Sequence, residues 1–334
     1  MRRLIWLGIF LAVIWTAWWA GGSWMMQRGA QQWLQDRRAE GWQADVAGLR
    51  SGGFPNRFAL TLRGPALADP ETGVAFRASD LNIIAPVYWP GYVSLRLPDD
   101  PINLATPLMK TQLDLGGATA DLRLRPGPRL ELEAMALRGG AWTLGAGAKT
   151  LLAANDLEIA MVQHADAAQT YRFDLGADQF RLGPALRQAL RVPGDWPVQF
   201  DRFAVQADVR FDQPWDRFAI ERRRPQPRQI SLGLAQATWG DLNLRLAGTL
   251  TIDAAGIPTG KLSVQAQNWR EILDLAQAAG LLPGALRRQA DDSLSALAGL
   301  SGNPNSLDIQ LNFAGGIVAV GFIPIGPAPR IVIR

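Results

Sequence analysis

Residues 242–252 read LNLRLAGTLTI: Leu242, Leu244, Leu246, Leu250 and Ile252 share one parity with Gly248, while Asn243, Arg245, Ala247, Thr249 and Thr251 take the other. A period of two is the signature of a β-strand with one dry face. Over these 11 residues, at about 3.3 Å per residue, the strand reaches roughly 36 Å, well beyond the usual five or six residues. Upstream, Phe203, Val205, Ala207, Val209 and Phe211 alternate with Arg202, Ala204, Gln206, Asp208 and Arg210. The same alternation recurs in Leu122 and Leu124, in Leu130 and Leu132, and in Leu307, Ile309, Leu311 and Phe313. Phe58, Leu60 and Leu62 start the series, and Ile331 and Ile333 close it. Turn signals separate these runs at RGP (63–65), RPGP (125–128), AAGIP (254–258) and AGG (314–316). One-faced strands joined by short turns predict a mainly β protein built from antiparallel meanders.

Helices are few. Residues 184–191 have room for two turns with Pro184 at an N-terminal position. Residues 269–279 carry an apolar stripe of Ile272, Leu273, Leu275 and Ala276 and stop at Gly280. A second late helix, 283–300, places Leu286, Leu294, Leu297 and Leu300 inward and completes a helical hairpin. Roughly a dozen strands with one apolar face each exceed what these helices can cover, and a bare apolar sheet of that width would aggregate. The sheet must curl into an open groove, close as a barrel or sandwich, or hold an apolar ligand. The strand lengths favour a long, curved, partly open antiparallel sheet with its dry side inward.

The N-terminus sets the compartment. After Arg2 and Arg3, residues 4–20, LIWLGIFLAVIWTAWWA, carry no charge. Extended through Met26, this helix passes about 30 Å, enough to cross a bilayer core. A cleaved signal peptide, with small residues at Ala20, Gly21, Gly22 and Ser23, is the competing reading. Trp15, Trp18 and Trp19 suit an interfacial belt better than a cleavage region, so the expectation is a single span with the arginines cytoplasmic. In a bacterium that means an inner-membrane anchor and stalk over 1–40, followed by a periplasmic β-rich domain over 41–334. The stalk reads as helical, with Trp33 and Leu34 within reach of the outer headgroups.

The chain has 334 residues, 34 basic against 30 acidic, a single His and no Cys. Zinc fingers, iron–sulfur clusters, Cys nucleophiles and sites needing two His ligands are thereby excluded, and no metal or cofactor is expected. His164 reads as a turn residue rather than a catalytic base, and no nucleophile elbow occurs. The GAGAKT stretch at 145–150 lacks the Gly that a phosphate loop places before its Lys. Asp99-Asp100 sits between prolines in a turn, and Asp291-Asp292 falls on the wet side of a helix. No enzyme is expected, since no acid, base and nucleophile converge.

Three segments resemble known sequences. WQADVAGLRSGGFPNRF (42–58) and GIVAVGFIPIGPAPRIVI (316–333) resemble the opening and closing of an uncharacterised Gram-negative envelope family known only as a domain of unknown function. The stretch 239–283, WGDLNLRLAGTLTIDAAGIPTGKLSVQAQNWREILDLAQAAGLLP, is similar to the strand–turn–strand–helix unit of AsmA-like and TamB-like proteins. The resemblance implies one N-terminal span, a β-rich periplasmic body, and an apolar groove of curved sheet of the kind associated with moving lipids between membranes. It supplies no catalytic residues.

Two function classes follow. In the first, membrane lipids are the partners and acyl chains lie in a groove lined by Phe203, Val205, Val209, Phe211, Leu242, Leu244, Leu246, Leu250 and Ile252. In the second, a filled β core scaffolds other envelope proteins through its loops. The one concentrated basic patch, ERRRPQPR at 221–228, offers Arg222, Arg223, Arg224 and Arg228 as anionic contacts, although a solvated Pro-rich loop accounts for it as well. Nucleic acid is not an expected partner, because no binding motif accompanies the patch.

Overall fold

A computed structural model describes residues 1–334 apart from Arg222, Leu281, Pro283, Ser301, Gly302, Phe322 and Arg334. Strand accounts for 47% of the chain, which makes the fold mainly β, and the sheets do not close into a barrel. Contacts divide the chain into two units, Met1–Gly140 and Ala141–Arg334.

The first unit opens with α1 (Arg2–Ala39). Its strands are β1 (Gln43–Asp45), β2 (Gly48–Gly52), β3 (Arg57–Arg63), β4 (Ala66–Ala68), β5 (Ala75–Arg77), β6 (Asp80–Pro86), β7 (Tyr92–Arg96), β8 (Ile102–Ala105), β9 (Lys110–Asp114), β10 (Thr119–Leu124) and β11 (Leu132–Gly139). Successive hairpins alternate between two antiparallel sheets, one ordered β2-β3-β6-β7-β10-β11 and the other β1-β4-β5-β8-β9. Phe58, Leu60, Ala85, Val87, Ile102, Leu115 and Ala118 are among the unit's buried apolar residues. The alternation read in Leu130 and Leu132 starts later than expected: Leu130 has φ 50° and belongs to the preceding turn.

Helix α1 runs unbroken through both the apolar stretch and the stalk because residues 2–39 contain no Pro. It ends in a Schellman motif. Gly41 takes φ 90°, its N–H donates to the Arg38 carbonyl and that of Trp42 to the Arg37 carbonyl, so two orphan acceptors are satisfied. The apolar stretch is not buried, and among the described residues one helix, α1, is long and apolar enough to cross a membrane. From Trp15 onward the helix packs on β1, β2, β3 and the turn between β2 and β3. Leu34 is only 5% exposed there, so it belongs to the packing against the sheet and not to a headgroup contact. Arg37 is equally buried, ion-paired with Glu40 at 2.5 Å and lying over the rings of Trp33 and Trp42.

The second unit comprises β12 (Trp142–Ala146), β13 (Lys149–Ala154), β14 (Leu157–His164), β15 (Ala167–Gly176), β16 (Arg181–Leu182), α2 (Pro184–Ala189), β17 (Arg202–Phe211), α3 (Phe218–Glu221), β18 (Pro227–Trp239), β19 (Leu242–Ile252), β20 (Pro258–Gln267), α4 (Arg270–Ala278), α5 (Gly284–Leu300), β21 (Ser306–Ala314), β22 (Ile317–Val320) and β23 (Ile323–Pro327). Here β14-β15-β17-β18-β19-β20-β21-β22-β23 form one antiparallel meander, and β12-β13-β16 a small second sheet. The three predicted helices are present as α2, α4 and α5, α2 stopping two residues early. The side chains of Leu286, Leu297 and Leu300 lie outside the described residues. The predicted strand at Ile331 and Ile333 is absent: that segment has no regular structure, and Ile331 N–H donates to the Gly256 carbonyl at 2.8 Å.

One contact explains Gly22, while Gly21 faces open space. A Cβ at Gly22 would overlap the ring of Phe58, itself buried at the start of β3. Gly22→Leu should therefore force α1 and β3 apart at a cost of about 1–3 kcal/mol. Thermal unfolding of the detergent-solubilised protein checks this, and pairing the change with Phe58→Ala should recover part of the loss.

Candidate functional site

The site is assembled by register. β17 pairs with β18 so that Phe203, Val205, Ala207 and Val209 stand opposite Ala237, Ala235, Leu232 and Ile230. These in turn oppose Leu244, Leu246, Gly248 and Leu250 of β19, followed by Ala266, Val264, Leu262 and Gly260 of β20 and Leu307, Ile309, Leu311 and Phe313 of β21. Opposed residues of an antiparallel pair share a face. Phe173 and Leu175 of β15 and Met161 and Ile159 of β14 extend the same face in the other direction. The alternation within single strands thus adds up to one apolar surface across seven of them.

Its two ends are closed. At one, Trp269 (2% exposed), Ala266, Leu307 and Ala298 form a core against which Leu244, Ile272, Leu273, Leu294 and Ile309 pack, so α4 and α5 sit over this end. Trp269 Nε1–H donates to the Pro304 carbonyl at 3.2 Å, which satisfies the indole inside the core. Beside it, Phe203 stacks on Phe180 at 5.2 Å and Phe200 on Trp239 at 4.6 Å. At the other end, Phe211 meets Tyr171, Phe173 and Trp215 with centroids 5.5–6.1 Å apart. Leu250, Phe313 and Val318 are covered there by Ala328, and the tail is fixed by Gln226, which exchanges two hydrogen bonds with the Ile333 backbone at 2.8 and 3.0 Å.

Between the ends the face is only half-covered. Val205, Ala207, Val209, Leu232, Ala235, Leu246, Gly248, Leu262, Val264 and Leu311 all keep part of their surface accessible. All nine predicted groove residues lie on this one face, and they divide by position. Phe203, Val205, Val209, Leu244 and Leu246 are half-buried, while Phe211, Leu242, Leu250 and Ile252 are buried in the closed ends. Sequence reasoning passed over Ala207, Ala235 and Gly248, whose short side chains make the floor. Their signal was present as the small members of the apolar parity.

The arginine patch is less free than its sequence implies. Arg223 and Arg228 both converge on Asp212, Arg228 at 3.4 Å, and Asp212 also accepts from Gln226 N–H at 2.9 Å. A second Arg228 nitrogen donates to the Asp253 carbonyl at 2.9 Å. These bonds tie the loop after β17 to β18. Arg224 is half-buried and its carbonyl accepts from Gln226, while Arg222 lies outside the described residues. Nothing in the local sequence announced Asp212 as the partner, since the pairs span 11 and 16 positions.

His164 ends β14 rather than sitting in the turn after it, and its Nε2 lies 2.8 Å from Asp208 Oδ1 on the polar face of β17. Arg172 reaches the same oxygen at 3.3 Å. Asp291, expected on the wet side of its helix, is half-buried and bridges Arg270 at 3.1 Å and Arg287 at 3.8 Å, latching α5 to α4. Among the described residues no group of three potential ligands could hold a metal ion. Partial burial pushes the Asp208 carboxyl up, but hydrogen bonds and charge from His164 and Arg172 outweigh it and hold the group below the ordinary carboxylate range. A carboxyl depressed in the native state contributes fully above its unfolded value and loses that contribution as pH falls through the native one. The stability gap between wild type and Asp208→Asn should therefore persist from neutral into mildly acidic pH and vanish only in strong acid, as thermal melts across pH would record.

No curated protein matches this chain significantly. A family model does, over residues 19–329, from the last tryptophans of the apolar stretch through β23. The hairpin after α1 and the half-covered face fall inside that match, which stops just short of Ile331 and Ile333 in the closing tail, and the chain accordingly belongs to DUF2125, a family of uncharacterised proteins conserved in bacteria.

Proposed function

We propose that this protein is anchored in the inner membrane by α1, exposes its body to the periplasm, and takes lipid acyl chains along the apolar face of its second unit. The observation that carries the reading is that face itself: continuous in register from β14 to β21, closed at both ends, and half-covered between them. An apolar strip left in water costs about 25 cal/mol per Å², so an occupant of the same polarity is favoured. The role is binding, with lipid handling in envelope biogenesis as its context, in keeping with the AsmA-like resemblance of 239–283; catalysis and nucleic-acid contact form no part of it. The filled ends favour the second reading, a scaffold for other envelope proteins whose core the chain completes by itself.

Solvent extraction and mass spectrometry of the full chain purified from a bacterial membrane separate the two. Annular lipid held by α1 is common to all variants, so the comparison with Leu246→Asp reports on the face alone. Wild type should carry a lipid surplus over Leu246→Asp at unchanged melting temperature. Ala235→Trp, which fills the floor without adding charge, should lose the same surplus and serves where Leu246→Asp impairs folding. Equal lipid content in wild type and folded variants would overturn the reading in favour of the filled scaffold.

A further inference from the structure

The hairpin between β2 and β3 is fastened to α1 at a level where the helix should still be inside the membrane. Trp15 Nε1–H donates to the Pro55 carbonyl at 3.0 Å, and Trp19 Nε1–H to the Arg57 carbonyl at 2.7 Å. The Trp19 and Phe54 rings meet edge to face at 5.3 Å, and Gly22 admits the Phe58 ring. Below these contacts α1 offers residues 4–14, about 16 Å of helix at 1.5 Å per residue. A hydrocarbon core is about 30 Å thick. A span that starts at Leu4 therefore has to continue to the level of Trp24, where Arg28 lies over the Trp24 ring at 5.3 Å and marks the first charge beyond the apolar run. The hairpin tip, pinned at Trp15 and Trp19, goes in with it.

The tip is composed for that environment. Phe54 is 56% exposed and Pro55 has no N–H to leave unpaired, while the exposed Asn56 and Arg57 give the tip one polar edge. The Gly53 carbonyl accepts from Arg57 N–H at 2.9 Å and the Asn56 carbonyl from Val87 N–H at 3.1 Å, while the two indoles take the carbonyls of Pro55 and Arg57. Backbone groups placed in lipid require such partners. Pairing of Arg57 with Pro86 brings the 87–91 loop beside the tip, where Tyr88 is 78% exposed and Trp89 and Tyr92 lie 6.3 Å apart, both open to solvent. Amphipathic rings of this kind collect at headgroup level.

We propose that residues 53–56 enter the acyl region of the leaflet from which α1 emerges, with Phe54 as the inserted side chain and the 87–91 loop resting on the surface of the same leaflet. The inference deepens the anchor reading and rests on α1 spanning the bilayer. The first unit would thereby meet the membrane through two loops as well as through its helix.

The chain has no Cys, so single substitutions can be labelled cleanly. Leu11→Cys, Phe54→Cys, Tyr88→Cys and, at the far end of β6, Ser79→Cys would each carry an environment-sensitive fluorophore on the full chain in phosphatidylethanolamine–phosphatidylglycerol vesicles. Labels at 11, 54 and 88 should shift to the blue and lose most of their quenching by aqueous iodide, while the label at 79 stays quenched. Protection at 11 with full quenching at both 54 and 88 would overturn the inference and leave the span intact. Full quenching at 11 as well would remove the span, and the inference with it.

Discussion

The second unit depends on covering one apolar face. Its meander puts Phe203, Ala237, Leu244, Ala266 and Leu307 in one cross-strand row and Val205, Ala235, Leu246, Val264 and Ile309 in the next, so no strand can turn its dry side to water alone. The features around the sheet follow from that demand. Helices α4 and α5, latched by Asp291 between Arg270 and Arg287, bring Trp269 down on the first row. The tail, tied by Gln226 and Gly256, shields Leu250 and Phe313 from the other end.

In the first unit the corresponding constraint is polar. The tip of the β2–β3 hairpin offers the carbonyls of Pro55 and Arg57, and α1 supplies indole donors at Trp15 and Trp19, one helical turn apart. Close approach needs an absent side chain as well as donors, and Gly22 provides it beneath Phe58. The same few residues of α1 thus belong both to the apolar run and to the seat for a strand.

The β class, the late helical hairpin and the shared face of the nine groove residues were legible because each rests on a local period. Residues 203–211 and 242–252 alternate so regularly that their parity survives pairing, even through the bulge between Leu232 and Ala235. Contacts between residues distant in sequence were not legible. Trp15 to Pro55 spans 40 positions, His164 to Asp208 44, and Gln226 to Ile333 107, and no local pattern encodes such partners. The short strands β1, β4, β5 and β8 escaped for another reason: with three or four residues each, they are too brief to show a period. The Leu34 side chain was misplaced because a helix face packed on a sheet and one lying at a membrane surface carry the same apolar residues.

The floor of the half-covered stretch bears on what such a face is for. A sheet selected only for stability fills its inner face with β-branched and aromatic side chains. Here Ala207, Ala235 and Gly248 interrupt the valines and leucines of the middle rows. Gly248 and Gly260 hold φ near 147° and 145°, a region few side chains tolerate, and a Cβ on either would overlap a carbonyl of the neighbouring strand. Glycines in such places let strands approach and bend, and here the neighbouring strand and the Leu262 side chain take up the space that a Cβ on Gly248 would need. The bulky residues lie at the ends, in the aromatic group around Phe211 and the core around Trp269. Large aromatic side chains thus close the ends, while the accessible stretch between them mixes Ala207, Ala235 and Gly248 with aliphatic Val205, Leu232, Leu246 and Val264, so aromatic packing is confined to where the face is covered.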